Sequence, residues 1–271
     1  MENEYHKILA CLKNHPTSCV ALKPTALIPV KEILKLSELL RNENYNSINL
    51  DKIFAKSNIE KIAEPFLNLS HKAVEIGTRI LIDAEQSNLQ PGVDLLAIYL
   101  MLNFNKDAKA YIYNTYQLYL QDSPLRLKIH KNWLEAKNAQ FAAKLVRGAY
   151  LSYESTVKDL THPNYVVCSS KERTDENYND VVRNLIVEGR SSLVVATHNR
   201  KSYEILQSFL NRYDFKNIEY AYLMGFGDKL AGRNSQLRCI EYVPYGPSNV
   251  KIPYLIRRLE ENVSIFENKS E

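Results

Sequence analysis

Short apolar runs rich in β-branched and aromatic residues recur along this chain, each followed by a segment of helical spacing, and this alternation limits the possible folds more than any other feature. The runs are Cys19 to Leu27, Arg79 to Ala84, Ala110 to Tyr116, Ala142 to Arg147, Leu193 to Thr197, Glu219 to Leu223 and Cys239 to Val243. Helical spacing marks Val30 to Leu40, Val93 to Asn103, Ser123 to Asn138, Asp175 to Val187 and Ser202 to Asn211. Strands joined by helical crossovers run parallel, either in an open doubly wound sheet or in a closed barrel. An open sheet of this size would carry a G-x-G-x-x-G nucleotide loop after a strand. Gly225-Phe226-Gly227 with Gly232 has the wrong spacing and reads as a turn. The prediction is an α/β fold, a distorted β/α (TIM-like) barrel short of one strand, and 271 residues match the roughly 250 of such a barrel. Asn42 to Asn49 reads as a loop and Ser152 to Asn177 as a second polar stretch. Neither divides the chain, so residues 1–271 are read as one domain.

Composition removes several functional classes. The 35 basic and 31 acidic residues are scattered, without the cationic stripe of a nucleic-acid binder, and Tyr111, Tyr113, Tyr116 and Tyr119 are explained by packing. Cys11, Cys19, Cys168 and Cys239 form no C-x-x-C pair or metal-ligand set, and reduced, mostly buried thiols are expected. The longest apolar stretch, Val93 to Leu102, contains Asp94 and is far shorter than a membrane span. The acidic start at Met1-Glu2-Asn3-Glu4 is unlike a secretory or mitochondrial leader, so any import signal is expected outside these residues. Walker loops, H-E-x-x-H and G-x-S-x-G motifs do not occur.

A β/α barrel builds its active site from the C-terminal ends of its strands. Polar residues stand there in succession: Lys23, Asp83 with Glu85, Gln117, Arg147 with Tyr150, Thr197-His198-Asn199, and Tyr242. Each also has a plain structural explanation, Asp83 as a helix cap and His198 as a satisfied core residue among them. Arg257 and Arg258 follow the apolar Ile252 to Ile256. They read equally as an anion site and as a solvated face with an Arg257 to Glu261 pair. Lys23 or Lys144 could instead form a Schiff base if its pKa were lowered.

Six ordered blocks resemble the proline dehydrogenase family, most closely its eukaryotic mitochondrial branch. They are Ala21-Leu22-Lys23-Pro24-Thr25-Ala26-Leu27, Asp83-Ala84-Glu85-Gln86-Ser87, Lys144-Leu145-Val146-Arg147-Gly148-Ala149-Tyr150-Leu151, Thr197-His198-Asn199, Tyr242-Val243-Pro244-Tyr245-Gly246 and Pro253 to Asn262. The resemblance implies a flavoprotein oxidoreductase of proline catabolism, holding FAD noncovalently and passing hydride from L-proline to the flavin. A quinone acceptor, a mitochondrial location and peripheral membrane association follow from the same resemblance. It also implies that a first strand normally precedes the Lys23 block. With that strand missing, open sheet edges are expected, or a patch made by Glu2 to Asn14.

Residue by residue, the resemblance assigns catalytic positions to Lys23, Asp83 and Tyr242, with Asp83 hydrogen-bonded to Tyr242. It places Arg257, Arg258 and Lys23 on the proline carboxylate, and Tyr242, Tyr254 and Leu223 around the ring. Gln117, Lys144, Val146, Gly148, Ala149, Tyr150, Thr197, His198, Asn199 and Glu261 fall to the flavin, and no metal is implied. Two other outcomes remain open from the residues: an inactive barrel fragment, and a Schiff-base lyase on a similar barrel.

Overall fold

The computed structural model describes residues 1–15, 17–41, 48–156, 166–209, 212–213, 216–225 and 237–261. Among these residues seven strands form one sheet in sequential order, every neighbouring pair parallel: β1 (Cys19–Leu22), β2 (Arg79–Ile82), β3 (Ile112–Gln117), β4 (Ala142–Val146), β5 (Ser192–Ala196), β6 (Ile218–Leu223) and β7 (Arg238–Tyr242). All seven expected runs are strands. The first is shorter than read, because Pro24–Ala26 turns into a 3-10 helix as soon as the strand ends.

The helices are α1 (Glu2–Leu12), α2 (Val30–Arg41), α3 (Leu50–Ser57), α4 (Ile59–Ile76), α5 (Gln90–Phe104), α6 (Ser123–Glu135), α7 (Leu151–Thr156), α8 (Lys171–Glu188), α9 (Arg200–Phe209) and α10 (Ser248–Glu261). The stretch from Ser152 read as polar thus holds most of α7 and the start of α8. Ser170 caps α8 by accepting from the Arg173 N–H, and Gly189 ends it in the left-handed conformation. The Gly225 to Gly232 turn reading falls largely outside the described residues.

The sheet is strongly curled. Arg79 on β2 pairs with Glu219 on β6, two strands separated by three others, so inward side chains meet across a half-barrel. On the outer face, α5 is buried nearly all round between α2, α4 and β3. Asp94, which interrupts its apolar run, is fully buried and is met by Arg126, Gln90 Nε2 at 2.7 Å and Asn114 Nδ2 at 2.8 Å. Gly92 lets α2 close on α5, since a Cβ there would lie 2.3 Å from the Ile33 carbonyl oxygen.

The two flanks of the sheet differ. Four of the five β7 residues are exposed. At β1 the patch expected from Glu2 to Asn14 is present as α1, which buries Leu9 completely and packs Tyr5, Ile8 and Leu12 against the core. The thiols depart from expectation: none of the four is in a disulfide, but only Cys168 is buried and Cys19 half-buried, while Cys11 and Cys239 are exposed. Both exposed ones sit on the outermost elements, α1 and β7.

Candidate active site

Because every strand is parallel, all seven C-terminal ends share one pole, and the sequence-marked residues gather there. Lys23 follows β1, and its ammonium lies 3.7 Å from Glu85 Oε2 and 5.7 Å from the centre of the Tyr150 ring. Glu85 is buried and held from several sides: it accepts from the Thr25 N–H at 3.1 Å, the Thr25 hydroxyl at 2.7 Å and the Tyr150 hydroxyl at 3.3 Å. Burial works against the charge on Lys23, but Tyr150 and Glu85 outweigh it and hold its pKa above the ordinary lysine value. Lys23 therefore stays an ammonium, which suits an anion and opposes Schiff-base chemistry.

Asp83, just past β2, receives a hydrogen bond from Lys144 on β4. The expected bond between Asp83 and Tyr242 is not among the described contacts; the described partner of the carboxylate is Lys144, at Oδ1. Tyr242 is nonetheless near enough to feel the Asp83 charge. Burial first, then Asp83 and Tyr254, push the Tyr242 hydroxyl pKa up, so it remains protonated. The Tyr242 and Tyr254 rings lie 6.3 Å apart, and the Arg258 guanidinium sits 5.5 Å from the Tyr254 ring centre. Lys23 and Tyr242 both lie within electrostatic reach of Asp83, and Tyr254 and then Arg258 follow from Tyr242, so the five side chains share this pole. The side chains of Arg257 and Glu261 lie outside the described residues.

The residues expected around a flavin divide into two groups. Gln117 is buried, donating from Nε2 to the Glu85 carbonyl at 2.9 Å and accepting at Oε1 from the Ala149 N–H at 3.1 Å; it braces the loops after β2 and β4. Asn199 caps α9 by accepting from the Ser202 N–H at 3.1 Å, and Thr197 Oγ1 accepts from the Asn199 N–H at 3.0 Å. Lys144, Val146, Tyr150 and His198 remain partly open at the pole. His198 Nε2 accepts from the Leu223 N–H at 2.9 Å, which puts the ring proton on Nδ1. Burial, with the Arg147 charge adding to it, pushes His198 down to about 4, so the ring is neutral at pH 7. Gly148 turns the chain after β4 at φ +143°, and a Cβ there would lie 1.6 Å from the Tyr119 ring.

Two contributors had no assigned role in the sequence reading. Glu85 anchors Lys23, and its signal was the doublet Asp83-Ala84-Glu85. Arg147 binds Asp175 Oδ1 at 2.6 Å, Thr197 Oγ1 at 2.7 Å and Ser202 Oγ at 2.8 Å, tying the ends of β4 and β5 together.

This architecture agrees with known structures and sequences. The fold matches proline utilization A (PutA) from Bdellovibrio bacteriovorus with a TM-score of 0.78 at 18% identity, covering 96% of this chain and 28% of that one. In sequence the chain is 30% identical over 283 residues to Proline dehydrogenase 2, mitochondrial, of Arabidopsis thaliana, covering 90% of this chain and 59% of that protein. It is 29% identical over 310 residues to Proline dehydrogenase 1, mitochondrial, of Dictyostelium discoideum, covering 100% of this chain and 54% of that protein. The chain therefore spans a little over half the length of these relatives. The Proline dehydrogenase family model matches residues 3–270, the same span that carries the strand-end residues, and the chain belongs to that family.

Proposed function

We propose that the strand-end site oxidises L-proline to 1-pyrroline-5-carboxylate, using FAD held at the same pole, within one barrel domain spanning residues 1–271. The observation that carries this reading is the convergence of two cations, Lys23 and Arg258, with the Tyr242/Tyr254 aromatic pair. A cyclic amino acid offers a carboxylate for the cations and an apolar ring for the tyrosines. Arg257, adjacent in sequence, is read as a second guanidinium on the same carboxylate.

The donor set fits a flavin. Lys23 and Lys144 supply positive charge beside a ring that gains negative charge on reduction, and neutral His198 offers polarity without a competing charge. A bound flavin would supply the two-electron acceptor for the ring carbon next to nitrogen. The chain's own task is orientation: the cations hold the carboxylate and the tyrosines wall the ring, which together limit where that carbon can lie. The amine must be neutral before hydride leaves, because its lone pair forms the new C=N bond. Tyr242, Tyr254 and Leu223 bound the ring, and Asp83, held by Lys144, fixes the charge beside Tyr242.

The Schiff-base reading loses support because both candidate lysines have carboxylate partners, Lys144 with Asp83 and Lys23 with Glu85. A mitochondrial location and a quinone acceptor at a membrane surface complete the proposal. They are supported by the names of the relatives and by Ile252, Ile256 and Leu259, which form one exposed apolar stripe on α10, with Val243 and Tyr245 exposed in the segment that precedes the helix.

The test is direct. Protein purified with added FAD should bleach when proline is supplied without oxygen, and Arg258→Met should raise KM for proline about 30- to 150-fold while keeping its flavin, from roughly 2 to 3 kcal/mol for one charge-assisted contact. Protein that binds FAD yet is not reduced by proline would overturn the assignment.

A further inference from the structure

Asp94 is fully buried in an apolar helix and has no part in the chemistry of the strand ends. Its side chain and that of Arg126, 0% and 2% exposed, form a dry ion pair between α5 and α6. Such a pair adds little net stability over apolar packing of the same volume, but with every partner satisfied it holds its neighbours rigidly. Asp94 Oδ1 accepts from Asn114 Nδ2 on β3 and from Gln90 Nε2, one turn earlier on α5. Gln90 is 1% exposed, and the other end of its amide leaves the core: Oε1 accepts from the Glu85 N–H at 2.9 Å. A backbone donor on one side and a carboxylate on the other leave that amide a single orientation, a task that suits Gln rather than Glu or Met.

Glu85 is where this network meets the site. Its backbone is clamped at both polar groups, the N–H by Gln90 and the carbonyl by Gln117 Nε2 at 2.9 Å. Its side chain divides its partners between the two oxygens. Oε1 takes the N–H and the hydroxyl of Thr25, two residues beyond Lys23, while Oε2 takes the Tyr150 hydroxyl and the Lys23 ammonium. One carboxylate thus holds both the turn that follows Lys23 and the ammonium itself. The Lys23 side chain is 50% exposed, so packing alone does not place it. Where the ammonium stands is set by Glu85, and where Glu85 stands is set from the core.

We infer that Gln90 is a positioning residue for substrate: it ties the Glu85 backbone to the buried Asp94–Arg126 pair and so fixes the carboxylate that holds the Lys23 ammonium for the substrate carboxylate. The inference rests on the proline reading for the identity of the substrate, but not for the bonds that run from Asp94 to Lys23.

The experiment uses the full chain with FAD throughout. Gln90→Met keeps the length of the side chain and removes both bonds. Gln90→Asn keeps an amide for Asp94 but is one carbon too short to reach Glu85 as well, and it carries the same expectation should the first variant not fold. Ile98→Val, about two turns further along the same buried helix, lowers stability without touching the network and is the control. Hydrogen exchange at the Glu85 amide, followed by NMR, should be roughly three- to tenfold faster in the Gln90 variants than in Ile98→Val. Calorimetry with cyclopentanecarboxylate, a ring carboxylate with no amine to oxidise, should give a Kd raised roughly three- to tenfold in the Gln90 variants and unchanged in Ile98→Val. KM for proline should rise by the same factor with kcat and flavin content unchanged, a split that general loosening of the fold would not produce. Glu85 exchange no faster than in the control overturns the contact. Faster exchange with unchanged Kd and KM, or an equal rise of both in Ile98→Val, overturns the positioning role. If the wild type binds cyclopentanecarboxylate with this dependence on Gln90 but does not oxidise proline, the proline assignment fails and the role of Gln90 stands.

Discussion

Arg147→Met removes a guanidinium that serves three partners at once, Asp175, Thr197 and Ser202, at 2.6 to 2.8 Å, while its face lies 4.4 Å from the Tyr178 ring centre. Methionine keeps most of the stem's packing, so the loss is chiefly polar. Stripping one partner from a dry ion pair costs about 3 to 5 kcal/mol. Asp175 is 24% exposed and keeps a contact with Lys171 at 3.1 Å, so water and that lysine recover a part. The expected loss is about 2 to 4 kcal/mol at pH 7. Burial raises the Asp175 pKa, but Arg147 and then Lys171 outweigh it and leave the carboxyl below its ordinary value. A carboxyl depressed in the folded state contributes stability that is complete above its unfolded pKa, about 3.9, and fades as pH falls through the lower folded value. The gap between wild type and variant should therefore be full at pH 7 and shrink below about pH 4. Urea unfolding followed by circular dichroism at several pH values measures it. A gap under about 1 kcal/mol at pH 7, or one that widens below about pH 4, would refute the reasoning.

Three further outcomes are expected. Burial pushes both His130 and His198 down to about 4, so unfolding should take up two protons between about pH 4 and 6.5, and stability should fall with decreasing pH across that window by up to about 2.7 kcal/mol per unit; a flat urea midpoint there would contradict it. Tyr242→Phe should change KM for proline less than about threefold, since the ring wall persists, whereas Tyr242→Ser should raise it more than about tenfold; equal damage in steady-state kinetics would show the ring is misplaced. Gly148→Ala forces a positive φ on alanine and drives its Cβ into the buried Tyr119 ring, so a loss of about 2 to 4 kcal/mol is expected in thermal or urea unfolding, and a variant as stable as wild type would count against this turn.

What the sequence by itself determined was the set of strands, their parallel order and the roster of strand-end residues. Those features are local: a buried strand is a short apolar run, and the polar residue that ends it, such as Lys23, Gln117 or Tyr242, announces itself by breaking the run. Helices α3 and α4 went unremarked, partly because Pro65 lies within α4 and blurs its pattern. Only the tertiary structure decided who pairs with whom. Lys144 rather than Tyr242 holds Asp83, Gln117 and Asn199 turn inward as brace and cap, and Glu85 becomes the anchor of Lys23. These partners stand far apart in sequence, 61 residues for Lys144 and Asp83 and 140 for Arg79 and Glu219, and their meeting depends on how far the sheet curls.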